Sequence, residues 1–320
     1  MFRKNYYIAR KIIKKIAPDI IYAWQLYDIS VLPIIAAQEC GIPCVFEIAD
    51  NWLLDCKRDY DFKHSLVRRT FKFILRGIWD FSKLDCNYMN FCSDAIKQKY
   101  ASAGFKGANF KVIPGGIKIY GRKISKIKDV NNVKLLCVAR LVEDKGVHVA
   151  IETLAYLINK LKHSNITLDI FGAGDKDYTQ RLEKIITTEN LEKFVKFKGW
   201  ITQDNLLQCI GNYDILLFPS VYDEPFARII LQAMDQGLPV VASNTGGTSE
   251  VVKNGLTGIL VTKGNAVEMA EGVLKLLEDV CLFEQISING NKAIQEKYSY
   301  RENIEQINNY LIGIYNQSVK

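Results

Sequence analysis

The sequence predicts an α/β protein with two parallel-sheet domains, and three observations carry that expectation. Short β-branched and aromatic runs alternate with helix-length amphipathic segments, which is βαβ order and implies parallel strands. The 320 residues are 48% hydrophobic and 24% charged, an ordinary globular composition with enough length for two cores. The third observation is the stretch 219–250, PSVYDEPFARIILQAMDQGLPVVASNTGGTSE. It reads as a strand end, a polar loop holding Asp223-Glu224-Pro225, an apolar helix, a buried strand at 239–242, and a second loop at 244–248 carrying Gly246-Gly247. Two loops thus meet at one sheet edge. In open α/β sheets ligands lie outside the carboxyl ends of the strands, where glycines and helix N-termini offer N–H groups to phosphate. The pair reads either as a nucleotide site or as two ordinary βα turns.

Taken in order, the N-terminal part predicts strands at 19–24, 43–48, 85–91 and 110–113, separated by helices at 28–40, 63–83 and 93–103. Residues 121–132 are polar and basic and lack a sustained period, which marks a linker. A second domain then opens with an apolar strand at 134–138, the run Ala139-Arg140-Leu141-Val142-Glu143-Asp144-Lys145-Gly146, and an amphipathic helix to about residue 162. The strand at 168–171 ends in Gly172-Ala173-Gly174. A dinucleotide fingerprint would need a further Gly where Asp177 stands, which argues against a hydride-transferring oxidoreductase. Strands at 195–199, 213–220 and 258–261, with helices at 204–210, 265–279, 283–297 and 302–316, complete the pattern.

Charge is unevenly divided. The formal net charge is +7, yet residues 1–128 hold 23 Lys and Arg against 11 Asp and Glu. Two helical stretches, 2–17 and 63–83, carry most of this excess. In the second, Leu66, Phe73, Ile74, Ile78 and Phe81 are interleaved with Arg68, Arg69, Lys72 and Arg76. Such stretches are solvated helix faces or amphipathic helices lying on an anionic membrane surface; nucleic acid is not expected, because no recognised binding motif accompanies the charge. The eight cysteines form no CxxC pair and read as reduced core residues rather than zinc ligands. No apolar run approaches the roughly 20 residues that span a bilayer, and the N-terminal stretch lacks a signal peptide's apolar core. The expected location is the cytoplasm, with peripheral attachment to the inner face of the plasma membrane left open.

The order of motifs in the second half resembles the retaining glycosyltransferases of family 4, which have the GT-B fold. Glu224-Pro225-Phe226, Ala233-Met234, Gly237 to Ala242, Gly246-Gly247 and Glu250 match the family's run, and Arg140, Lys145 and Gly146 match its Gly-Arg-Leu-x-x-x-Lys-Gly. Ala139 and Ala227 stand where the family has Gly, and Gln232 where it has a second Glu. Further upstream, Val112-Ile113-Pro114-Gly115-Gly116-Ile117 resembles the motif that closes the N-terminal domain.

The resemblance implies two Rossmann-like domains facing a cleft: 1–120 on the acceptor side, a linker at 121–132, a nucleotide-sugar domain at 133–297, and a helix at 298–320 that crosses back. It implies transfer of a sugar from a nucleotide diphosphate donor to a glycan or lipid-linked acceptor, with retention, in cell-surface polysaccharide synthesis. No cofactor or metal is expected. Arg140 and Lys145 would hold the diphosphate, Glu224 would orient the donor sugar, and backbone at Ile201 would meet the base. Gly172, Phe226, Ala227, Gln232, Thr245, Gly246 and Gly247 would line the donor site. Asp50, in Ala49-Asp50-Asn51-Trp52, either meets sugar hydroxyls or caps a loop. Most of what precedes residue 19 in the family has no counterpart, so the strand at 19–24 is expected at a sheet edge, with a second polypeptide as a candidate to complete it. A silent partner subunit and a GT-B nucleotide-sugar epimerase are the competing readings.

Overall fold

The computed structural model describes residues 2–27, 29–61, 81–121 and 131–318. Contacts divide the chain into two units, Met1–Pro114 with Ile304–Lys320, and Gly115–Asn303. Residues 115–120 fall in the second unit, where the Ile117 N–H donates to the Tyr298 carbonyl (2.8 Å) and the Tyr300 N–H to the Ile117 carbonyl (2.9 Å). Most of the expected linker lies outside the described residues, as does the expected basic helix at 63–83 apart from the 3-10 turn Phe81–Lys83.

In the first unit four strands, β1 (Ile21–Trp24), β2 (Cys44–Ile48), β3 (Tyr88–Phe91) and β4 (Asn109–Val112), form a parallel sheet in that order. The ladder begins later than the apolar run suggests, because its first bond is from the Ile21 N–H to the Pro43 carbonyl. Helix α1 (Phe2–Ile16) packs along α2 (Leu32–Gln38). α3 (Trp52–Asp61) follows β2, and α4 (Asp94–Ser102) follows β3. Ser93 starts α4 because it is extended (φ −156°) and its Oγ accepts from the Ile96 N–H at 3.2 Å. Tyr310 and Ile314 of the last helix bury Val45 and Ile113 on one sheet face.

The second unit holds β5 (Val133–Val138), β6 (Ile166–Phe171), β7 (Val195–Gly199), β8 (Ile215–Phe218), β9 (Val240–Ser243) and β10 (Ile259–Val261). All pairings are parallel, and the order is β10-β9-β8-β5-β6-β7. Alternate residues of one strand enter two cores: Leu135 and Cys137 pack with Ile170, Ile215 and Val241, whereas Leu136 packs with Leu216, Val240 and Ala242. Burial on both faces is why the central β8 (ILLF) and β9 (VVAS) read as nearly continuous apolar runs. From the central β5 the chain first builds β6 and β7 on one side, then crosses to β8 on the other. The order therefore reverses between β5 and β8, which is where open α/β sheets leave a crevice.

Helix α5 (Val147–Ala155) gives way to a π-helical turn, Tyr156–Lys160, where the sequence suggested one helix. α6 (Lys176–Thr188), α7 (Gln203–Cys209), α8 (Arg228–Asp235), the short α9 (Thr248–Val251), α10 (Ala266–Glu278), α11 (Val280–Lys297) and α12 (Tyr300–Ser318) follow. The cysteines are less uniform than expected. Cys44, Cys92 and Cys137 are buried, but Cys281 is exposed at the start of α11, so the core reading does not extend to it.

Candidate functional site

The loop after β5 and the loop after β8 meet at the crevice. After β5 the chain makes a 3-10 turn, Glu143–Lys145, closed by Gly146 at φ +63°. A Cβ on Gly146 would lie 2.0 Å from the Pro219 carbonyl oxygen, so only glycine lets the two loops approach this closely. The Asp144 carbonyl then accepts from the Val221 and Tyr222 N–H groups at 3.0 and 3.1 Å, clamping the second loop onto the first.

Across this junction the Lys145 ammonium donates to Glu224 Oε1 at 2.6 Å. The Ser220 hydroxyl lies 2.7 Å from the same oxygen. Glu224 is 7% exposed, and among the described residues its Oε2 has no partner. A cavity of about 180 Å³ opens beside the pair, lined by Ala139 and Lys145 from one loop and by Ser220, Glu224, Phe226 and Ala227 from the other. Pockets that enclose a whole drug-sized ligand measure roughly 300–1,000 Å³, so this cavity has room for only part of such a molecule. Glu224 and Lys145 both line it, the one a carboxylate with an unpartnered oxygen and the other an ammonium donor.

The remaining candidates fall around this junction in different states. Arg140 is exposed at the end of β5 and makes no side-chain bond among the described residues. Gly172, at φ +146°, lies against the Ala139 carbonyl. Ile201 packs on the core beneath α8, next to Trp200, which is 73% exposed. Phe226 stacks obliquely on Tyr298 with ring centres 6.0 Å apart. Gln232 is buried on α8, and its amide has no hydrogen-bond partner among the described residues.

The Gly-Gly loop packs onto the Glu224 loop from the other side. Its Gly247 N–H donates to the Glu224 carbonyl at 2.8 Å, so this group, expected to face phosphate, is engaged within the protein. Thr245 is buried with its hydroxyl 3.3 Å from that of Thr248. Gly246 remains at the contact, with φ +46°.

Asp50 belongs to the other unit. Its Oδ1 accepts from the Trp52 N–H at 2.7 Å at the start of α3, and its Oδ2 lies 3.4 Å from Gln25 Nε2. That is the capping arrangement. Ser220 went unnoticed in the sequence, although a serine four residues before the loop's glutamate was the available signal. Among the described residues no group of three or more His, Cys, Asp or Glu is arranged to hold a metal ion.

Residues 122–293 match the family described as glycosyl transferases group 1. An uncharacterized glycosyltransferase of Methanocaldococcus jannaschii is 33% identical over 233 residues, covering 72% of this chain and 57% of that protein. The capsular polysaccharide biosynthesis glycosyltransferase CapM of Staphylococcus aureus is 29% identical over 163 residues, or 51% of this chain and 41% of the relative. The chain spans about half the length of the curated relatives it matches. Among solved structures, Anabaena HepE in complex with UDP-glucose superimposes with a TM-score of 0.74 at 26% identity, covering 95% of this chain and 82% of HepE. With its parallel sheets and the strand reversal between β5 and β8, the chain has the GT-B type of fold and belongs to the glycosyl transferases group 1 family.

Proposed function

We propose that the chain is a retaining, family 4 type transferase that takes a sugar from a nucleoside diphosphate donor and passes it to a glycan or lipid-linked acceptor. The observation that carries this reading is the Lys145–Glu224–Ser220 junction, with its free Oε2, beside a cavity at the strand reversal. The complex of HepE with UDP-glucose supports a UDP-sugar as donor, and the relation to CapM supports a surface polysaccharide as product. As the bond from the anomeric carbon to the phosphate oxygen breaks, its electron pair goes to the departing diphosphate, where Arg140 and Lys145 supply preorganised positive charge, while an acceptor hydroxyl oxygen bonds to the anomeric carbon and gives its proton to the departing phosphate oxygen. Glu224 Oε2 accepts from a donor-sugar hydroxyl, with Gln232 toward the ribose and Ile201 toward the base. Among the described residues Glu224 has no second acid in hydrogen-bond contact, so the paired-carboxylate chemistry of glycoside hydrolysis does not suit the site. UDP release from a panel of UDP-sugars, with and without acceptor glycans, tests the reading. Turnover of one of them is expected; a protein that binds no nucleotide and releases no UDP would refute it.

The reading includes a second polypeptide beside β1. Among the described residues three of the four sheet edges carry guards: Lys111 in β4, Lys196 and Lys198 in β7, and a length of only three residues in β10. β1, IYAW, has none, and its Trp24 is 65% exposed. A strand from another chain would pair there. Light scattering is expected to show self-association or aggregation of the chain alone, and a monodisperse monomer with full turnover would contradict the partner.

It also includes an anionic membrane. Among the described residues no helix is long and apolar enough to cross a bilayer. α1 nonetheless exposes Tyr7, Ile8, Ile12 and Ile16 beside Lys4, Lys11, Lys14 and Lys15. Each surface cation adds about 1 kcal/mol near anionic lipid, and salt screens it. Co-sedimentation with phosphatidylserine vesicles at low salt is expected, falling steeply as salt rises. Equal binding to neutral vesicles would count against it.

A further inference from the structure

Ser220 is 1% exposed and holds four neighbours within hydrogen-bond reach. Its Oγ lies 2.7 Å from Glu224 Oε1, 3.1 Å from the Asp144 carbonyl, 3.3 Å from the Tyr222 carbonyl and 3.4 Å from the Tyr222 N–H. The hydroxyl has one proton to give. The Asp144 carbonyl already accepts from two backbone N–H groups. The carboxylate is both the nearest acceptor and the charged one, so the proton goes to Glu224.

Glu224 Oε1 therefore receives two donors, Lys145 and Ser220. Lys145 alone could not fix the carboxylate plane. An ammonium is a point charge on a flexible stem with three rotatable donors, and it follows the carboxylate as the terminal torsion turns. The hydroxyl is different, because it sits on the loop that the Asp144 carbonyl clamps. With two donors on Oε1, one of them on a clamped loop, the carboxylate that lines the cavity has little freedom to rotate.

Resting on the donor-site reading above, we infer that Ser220 is a positioning residue: it locks the rotation of the Glu224 carboxylate so that Oε2 meets a donor-sugar hydroxyl as the bond to phosphate breaks. Such preorganisation is expressed in turnover rather than in nucleotide affinity. UDP lacks the sugar and does not engage Oε2.

The test uses the full chain with Ser220→Ala and Ser220→Thr, calorimetry with UDP, and UDP release from the UDP-sugar that wild type turns over. Ser220→Ala is expected to bind UDP within about twofold of wild type, to melt within a few degrees of it, and to lose about tenfold or more in kcat with a smaller change in KM, the size of one charge-assisted hydrogen bond. Ser220→Thr keeps the hydroxyl and is expected to recover most of the rate. If Ser220→Ala loses UDP affinity and kcat together, the residue only holds the loop, and the inference fails. Unchanged kcat in Ser220→Ala would also overturn it. A wild-type protein that binds UDP but turns over no UDP-sugar overturns the transferase reading, and the role of Ser220 with it.

Discussion

Lys145→Ala is expected to raise the dissociation constant for UDP about tenfold or more and to lower the melting temperature, whereas Arg140→Ala does only the first. The Lys145 side chain is 21% exposed and its partner, Glu224, 9%. Removing the ammonium leaves an almost buried carboxylate with only the Ser220 hydroxyl, which costs about 1–3 kcal/mol. For a unit of this size that is a fall of several degrees. The nucleotide loses one charge-assisted contact, about 1.5–3 kcal/mol, which sets the change in affinity. Arg140 is exposed and unpaired among the described residues. On the proposed reading its loss removes a contact to the diphosphate, and no side-chain bond within the described residues depends on it. Calorimetry and thermal melting on both variants make the comparison. Unchanged UDP affinity in both would place the diphosphate elsewhere.

Gly246→Ala is expected to cost about 2–4 kcal/mol and to abolish turnover, combining backbone strain with a displaced loop. At φ +46° an added Cβ would lie 2.2 Å from the Glu224 carbonyl oxygen and 2.9 Å from the Glu224 backbone nitrogen. It would push the loop carrying Glu224 away and break the bond from the Gly247 N–H to the Glu224 carbonyl. Gly255 isolates the two effects, because it also has positive φ (+72°) but nothing within 4 Å of an added Cβ. Gly255→Ala should therefore show only the left-handed strain, roughly 1–2 kcal/mol, with turnover retained. Equal losses in the two variants would mean that the contact between the loops matters little.

Much of this site was legible in the sequence because the motifs name residues at strand ends. The expected strand at 134–138 led to Lys145, and the expected strand at 213–220 led to Glu224. What the sequence could not show is that these residues, 79 positions apart, touch. That follows from β5 pairing with β8, a choice the tertiary fold makes. The same limit hid Ser220, whose role depends on a carbonyl 76 positions away. It also hid the bond from the Gly247 N–H to the Glu224 carbonyl, because a Gly-Gly loop looks equally ready for phosphate or for a neighbouring loop. Asp50 shows the reverse case. Two residues before Trp52 an aspartate is a cap by local geometry alone, and the structure has it capping. Strand positions held to within one or two residues where both faces are buried, as at 134–138. The largest difference is at β3, expected from residue 85 and beginning at Tyr88, where the parallel pairing with β2 and β4 starts.

The central claim is that the loops after β5, β8 and β9 together form the donor site. Amide hydrogen exchange on the full chain, with and without saturating UDP, tests it most directly, since ligand binding slows local opening where it contacts the protein. The account predicts new protection concentrated in residues 139–146, 219–227 and 244–247. Protection confined to residues outside these three segments, or no change at a UDP concentration that calorimetry shows to be saturating, would contradict it.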